Sequence, residues 1–355
     1  MDETSKQHRR RPHYSGKYPR RFEEKYKEQD PERYADEIEH VISKGNTPAG
    51  MHIPIMVDEI LDFLQVQPGQ IGLDCTLGYG GHSSKLLERL EGKGHLYSID
   101  YDPIEIEKTT RRLREKGFGD EIWTPVSDNF RNIDRISEKY GPFDFVMADL
   151  GVSSMQIDDP SRGFTWKADG PLDLRFNPQK GESASRRLAG MSRDDIEDML
   201  RENSDEPYAG EIADAIHKVY WRRQSIETTG QLRAVVEEAL EGTKSLAKLP
   251  KKDLDELKKK SLARVFQAPR IDVNQELEVL EEFLDKLPSA LKSGGRAAIL
   301  TFHSGEDRLV KKSFKSLEKA GVYREAARDV IRPSREEYFR NPRAHSTKMR
   351  WAVKA

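Results

Sequence analysis

The stretch Ile71–Ser84, IGLDCTLGYGGHSS, read with SID at Ser98–Asp100, restricts the fold more than any other part of the chain. A short apolar run ends in Asp74. A glycine cluster follows (Gly78, Gly80, Gly81), and a helical pattern, SSKLLERL, opens behind it. A second apolar run, HLYSID, ends in Asp100, twenty residues past Gly80. On a parallel sheet this order of strand, glycine turn, helix, strand and acid builds a site for a nucleotide-type cofactor. Glycines let the backbone approach a ligand. A carboxylate at the second strand end can accept both hydroxyls of a ribose. A glycine-rich turn with no ligand would carry the same glycines. The acid at the second strand end is what favours a cofactor.

From Met51 onward the pattern is α/β. Strand-like runs are expected at Ile71–Thr76, His95–Asp100, Glu121–Val126, Phe143–Asp149, Arg296–Phe302, Glu325–Ile331 and Lys348–Val353. Helical patterns such as Pro103–Lys116 and Gln275–Leu287 lie between most of them, which implies a parallel, doubly wound sheet. Only a loop, PSREEYFRNPRAHS, is expected between the last two runs. Without a crossover helix the sheet should end in an antiparallel pair. The interval between Asp149 and Arg296 is far too long for a connection. It reads as helices at Arg193–Arg201, Ala209–Arg223, Thr229–Glu241 and Lys252–Lys260, that is, as a helical domain inserted into the α/β domain. The expected organisation is a charged, disordered tail over 1–48, a first α/β part over 49–158, the insert over 159–262 and a second α/β part over 263–355.

With 355 residues and a net charge of −2, the chain lacks a globally basic signature, so any nucleic-acid surface must be local. The tail is polarised: residues 1–21 carry seven Lys/Arg against two Asp/Glu, and residues 22–39 carry eight acids against three bases. Its tip interleaves Arg/Lys with Tyr14, Tyr18 and Phe22, which suits RNA phosphates and bases. A solvated tail folded onto its own acidic half fits equally. The lysine run Lys244–Arg264 reads as an RNA-facing edge or a solvated helix face. Cys75, the single cysteine, is expected as a small buried hydrophobe, and scattered histidines give no metal spacing. No apolar run reaches membrane-spanning length, so a soluble, cytoplasmic protein without a membrane partner is expected.

In an open parallel sheet, ligands bind beyond the carboxyl ends of the strands. Asp74, the glycine turn, Asp100 and Asp149 should therefore converge there. The segment after Asp149, MQIDDPSRGFTWKADGPLDLRF, is dense in Asp, Arg, Gly and aromatics, as binding loops are; a stiff turn-rich linker reads the same way. Ser304 is expected to cap a helix beginning near Glu306, which places His303 at the rim, bonded to substrate, to Asp307 or to a loop carbonyl. No G-x-S-x-G elbow supports a hydrolase.

The motifs HIPIMVDEIL, DCTLGYGGHS, ADLGVSSMQIDDPSRGF, DGPLDLRF, ETTGQL, FQAPRIDVNQEL, FHSGEDRLVK and NPRAHSTKMR resemble, in order, those of the ribosomal RNA small-subunit methyltransferase H family, also called MraW. The resemblance covers roughly residues 50–355. It implies a Rossmann-like class I S-adenosylmethionine-dependent methyltransferase sheet with an inserted α-helical domain. The implied activity is methylation of N4 of a cytidine in the decoding region of 16S rRNA of the small ribosomal subunit, with S-adenosyl-L-methionine as cofactor and no metal. Carried over, the family's cofactor contacts fall on Gly80, Gly81, His82, Asp100, Phe130, Asp149 and Gln156, with Asp100 on the ribose and Phe130 over the adenine face. Asp149, or the carbonyls of Leu150 and Gly151, is expected as the acceptor that activates the N4 amine. Several positions depart from the family pattern: the tail over 1–48, Glu211 and Asp214 in a helix that is usually basic, Lys260-Ser261 for His-Pro, Pro269 and Gly305 for leucines, and His345 for an arginine. A non-catalytic RNA-binding assembly factor and an NAD-dependent dehydrogenase are the competing readings. Oligomeric state stays open, a homodimer included.

Overall fold

The computed structural model describes residues 54–355. The tail expected over residues 1–48 lies outside them. Apolar runs without strict alternation make strands that are covered on both faces. β1 (Ile71–Asp74), β2 (His95–Asp100), β3 (Trp123–Ser127), β4 (Phe143–Asp149), β5 (Leu291–Thr301), β6 (Tyr323–Ala326) and β7 (Lys348–Lys354) form one sheet in the order β3-β2-β1-β4-β5-β7-β6. β3 through β5 pair in parallel, and β7 pairs antiparallel to both β5 and β6. The chain steps outward from β1 to β3 and then returns to β4 beside β1. That reversal places a crevice at the carboxyl ends of β1 and β4.

Successive β4 side chains divide between two cores. Phe143, Val146 and Ala148 pack with Leu280, Phe283 and Leu287, while Phe145 and Met147 pack with Leu86, Leu113 and Met349 on the other face. Gly72, opposite Phe145 in the register, must be glycine: a Cβ there would sit 2.0 Å from the Phe145 ring. Cys75 is buried in the first of these cores, as expected.

Helices flank the sheet: α1 (Val57–Leu64), α2 (Gly81–Leu90), α3 (Pro103–Glu115), α4 (Ile133–Tyr140) and the short α5 (Ser154–Asp158). The long interval holds α6 (Ala184–Ala189), α7 (Arg193–Ser204), α8 (Ala209–Trp221), α9 (Thr229–Gly242) and α10 (Lys251–Asn274). These five share a core of their own with Phe164, Leu172 and Leu174. α11 (Glu276–Ala290), α12 (Ser304–Lys319) and α13 (Arg335–Arg340) complete the described chain.

Three expectations are corrected. The helix expected over Lys252–Lys260 runs on to Asn274, through position 262 and Pro269, because buried Leu262, Val265, Phe266, Ala268 and Ile271 continue its apolar face. The sixth strand begins at Tyr323 and ends at Ala326. Tyr323 anchors it in the core against Phe314, and past it only an Ala327–Trp351 bond and an Ile331–Met349 bridge remain. The loop before β7 contains α13, yet six residues cannot make a crossover, and the antiparallel ending stands.

Candidate active site at the carboxyl edge of the sheet

β1 delivers Asp74 to the crevice, but its carboxylate is spent on the protein. It accepts the Thr76 N–H at 3.0 Å and the Ser83 hydroxyl at 2.6 Å, and Ser83 in turn meets Ser98 at 2.8 Å. Burial pushes this carboxyl up, against those hydrogen bonds. Asp74 therefore ties the glycine turn to the start of α2.

The turn is built from left-handed residues. Gly78 has φ 46° and Gly80 φ 78°. A Cβ on Gly80 would lie 2.7 Å from Thr109 Cγ2, and one on Gly81 would lie 3.0 Å from Pro54 Cβ. Gly80 is thus required by packing against α3, and Gly81 sits tightly against the segment before α1. Gly80 offers α2 no side-chain cap, so among the described residues the first N–H groups of that helix have no capping side chain.

Asp100 ends β2 and is half-buried. Oδ2 accepts the Gly78 N–H at 2.7 Å and Oδ1 the Asp102 N–H at 2.8 Å. Burial pushes its carboxyl up to about 7, in spite of those two bonds. Each oxygen keeps a further lone pair for a hydroxyl donor. The β3 end lies alongside, with the Asp128 N–H on the Asp100 carbonyl at 3.2 Å. Asn129 caps the short turn that starts at Phe130, and the Phe130 ring stands edge-on to Phe283 with centroids 5.2 Å apart.

Asp149 ends β4. Its N–H donates to Thr76 Oγ1 at 2.7 Å, which locks it to the β1 end. Oδ2 faces His82 Nδ1 at 3.6 Å, and Oδ1 is buried without a hydrogen-bond partner among the described residues. His82 Nε2 lies 2.9 Å from the Ile55 carbonyl. A carbonyl only accepts, so Nε2 carries a hydrogen and Nδ1 is the open position. Burial pushes the Asp149 carboxyl up to about 6; His82 opposes this, and Asp74 and Glu306 reinforce it. Gly151 comes two residues later at φ 91°, where among the described residues a Cβ would meet only Phe302, at 3.8 Å.

Gln156 is placed differently from a free contact residue. Its Oε1 accepts the Ser153 N–H at 2.9 Å, and its Nε2 donates to Asp102 at 2.8 Å. One amide hydrogen is left. The structure thus brings Gly80, Gly81, His82 and Asp149 together at the β1–β4 crevice, sets Asp100 and Phe130 on the β2–β3 side, and joins Gln156 to the latter through Asp102.

Asp102 and Arg162 escaped the sequence reading. Asp102 is fully buried and caps α3 through Ile104; Arg162 Nη1 reaches its Oδ2 at 2.7 Å. The other end of the Arg162 guanidinium donates to the carbonyls of Arg175 and Phe176 at 3.1 and 2.9 Å. The cap was legible in D-P at 102–103, but a partner sixty positions away was not. At the β5 end, Ser304 is the first residue of α12 rather than its cap, because the Glu306 carboxylate takes the Phe302 and His303 N–H groups. His303 accordingly lies 3.2 Å from Glu306, while Asp307 serves Lys348 and Arg350. Within the lysine run, Lys258 pairs with Glu241 and Lys260 with Glu256. At the departures, Ser261 bonds Glu206 at 2.9 Å, His345 stacks on Tyr338, and a side chain on Gly305 would press on His303.

Among known proteins, the chain is 61% identical over 350 residues to the Ribosomal RNA small subunit methyltransferase H 1 of Agathobacter rectalis, covering 99% of each. It is 54% identical to the Ribosomal RNA small subunit methyltransferase H 2 of Alkaliphilus metalliredigens, covering 100% of each. Both matches take in the N-terminal tail, so that segment is shared with these relatives. The relative from Fusobacterium nucleatum, 40% identical, covers 84% of this chain and 95% of its own length. Residues 49–355 match the MraW methylase family as a whole, and the chain belongs to that family.

Proposed function

We propose that this site methylates N4 of a cytidine in the decoding region of 16S rRNA within the small ribosomal subunit. Membership of a methylase family and relatives named as small-subunit rRNA methyltransferases make the protein an S-adenosylmethionine-dependent rRNA methyltransferase. The nucleotide, the position and the subunit context rest on the motif resemblance. The observation that carries the chemistry is Asp149 Oδ1, a buried acceptor with no donor among the described residues, at the switch point of the sheet.

The residues fit the cofactor. The uncapped start of α2 and Asp149 suit the methionine part, Asp100 suits ribose hydroxyls, and Phe130 suits a flat base. S-adenosylmethionine supplies an electrophilic methyl group on a sulfonium. The N4 lone pair of cytosine is delocalised into the ring, so an acceptor on its N–H is needed to localise it. Asp149 Oδ1 is placed for that role, with the Leu150 and Gly151 carbonyls beside it. Burial raises its proton affinity, and the carboxylates Asp74 and Glu306 reinforce this. The open Nδ1 of His82 faces the same carboxyl. A proton released from N4 therefore enters a pair able to hold it. Orientation and exclusion of water supply most of the acceleration.

The chain from residue 159 through the helices of the long interval is read as the substrate-recognition part. The Arg162 contacts to Asp102 tie it to the cofactor side. No helix among the described residues is long and apolar enough to cross a membrane, and a ribosomal substrate supports a cytoplasmic location. Mass mapping of modified cytidines in small-subunit RNA, with and without the gene, tests the reading. Loss of one N4-methyl mark in the deletion, restored by the purified protein and cofactor, is expected. An unchanged map refutes it.

A further inference from the structure

α8 ends in a surface that the catalytic site does not use. Ile212, Ala213 and Ile216 face the helical core, while Asp214, Lys218, Trp221 and Arg222 fall on the exposed stripe. Trp221 is 77% exposed, whereas Trp123 is fully buried. Between Asp214 and Glu227 the chain has no acid but carries Lys218, Arg222 and Arg223, a local run on a chain of net charge −2. Asp214 is itself held by Arg193 at 2.8 Å. Among the described residues, Trp221 makes no ring contact, and Lys218, Arg222 and Arg223 form no ion pair.

The backbone under this surface is fixed. Arg223, at φ 55°, closes the helix with its N–H on Tyr220 O at 2.8 Å, and the Gln224 N–H reaches Val219 O at 3.2 Å. Three residues beyond Arg223, Ile226 is buried. Glu227 O then accepts the Leu172 N–H at 2.8 Å, and Thr228 bridges Pro171. The surface is therefore joined to the loop that carries Arg162 and, through Asp102, to the Asp100 side of the site.

An indole held in water beside three cations, with no carboxylate in the run, matches the chemistry of single-stranded nucleic acid. Bases stack on aromatic faces while Lys and Arg meet the phosphates. Gln224 and Ser225, which continue the surface, are polar and exposed. We propose that Trp221, with Lys218, Arg222 and Arg223, binds a single-stranded segment of the substrate RNA, one base lying on the indole. The proposal rests on the rRNA reading only in naming which RNA is bound.

The test uses the full chain, a single-stranded oligoribonucleotide and intact small subunits. Oligonucleotide binding should quench tryptophan emission, and Trp221→Phe should remove most of that quench while keeping affinity within about threefold. Trp221→Ala should weaken binding about tenfold. Arg222→Ala with Arg223→Ala should flatten the log K against log salt slope by about 0.7 for each charge removed. Affinity for S-adenosylmethionine should not change. Wild-type affinity and salt slope in all these variants would overturn the proposal. So would a loss seen on intact subunits but not on the oligonucleotide, which would assign the surface to a protein partner. If the wild-type protein transfers no methyl group yet binds RNA in a Trp221-dependent way, the catalytic reading fails and this one stands.

Discussion

Replacing Arg162 by methionine fills most of its volume but strands a carboxylate. Asp102 is fully buried, and its Oδ2 would keep only Gln156 at 2.8 Å after losing Arg162 at 2.7 Å. The carbonyls of Arg175 and Phe176 would lose their donor as well. Removing one partner of a buried pair costs about 3–5 kcal/mol. With a urea slope on the order of 3 kcal/mol/M, the unfolding midpoint should fall by about 1–1.7 M. Most of that cost is the uncompensated charge, so Asp102→Asn in the Arg162→Met background should recover part of the loss. Equilibrium urea unfolding of the wild type, the single variant and the double variant, followed by circular dichroism, reads both effects. A midpoint shift below about 0.3 M in the single variant, or no recovery in the double, refutes a buried-charge origin. Because the Asp102 N–H also holds Asp100 at 2.8 Å, cofactor affinity should fall in the same variant.

Asp149→Asn keeps the shape but replaces a basic, negatively charged carboxylate by a neutral amide that cannot take up a proton, and single-turnover methyl transfer should drop by at least about 100-fold; near-normal turnover would take Asp149 out of the mechanism. Burial holds the Asp100 carboxyl up at about 7, and acceptance of ribose hydroxyls favours its ionised form. Cofactor binding should therefore tighten as pH rises through about 7 and level off above it, with a proton released below that point. Calorimetry in two buffers of different ionisation heat measures this, and Asp100→Asn should remove the dependence centred near 7. Gly80→Ala meets both a left-handed φ of 78° and Thr109 Cγ2 at 2.7 Å. A loss of about 1–3 kcal/mol in stability is expected by thermal unfolding, and an unchanged midpoint would show that the turn relaxes freely.

The parts of this fold legible in the sequence are those set by near neighbours. Asp74, the glycine turn, α2 and Asp100 follow one another within thirty residues, and period, glycine and acid all point the same way. The antiparallel ending was legible because no crossover helix fits before Lys348. What escaped depends on distant partners. α10 continues past Lys260 and through Pro269 because Leu262, Val265 and Phe266 find a core made by other helices. Ser304 looked like a cap, yet the capping bonds belong to Glu306, whose carboxylate reaches back to the Phe302 and His303 N–H groups. Gly80 and Gly81 are the sharpest case. The motif predicts glycine at both positions for close approach of a ligand. The missing Cβ atoms point at Thr109 and Pro54, so these two glycines also let the protein close on itself behind the turn. α3 and the Pro54 segment seat tightly against the turn that precedes the α2 N–H groups. A glycine pattern thus locates the turn, and its tertiary neighbours decide which side of the backbone the protein itself covers.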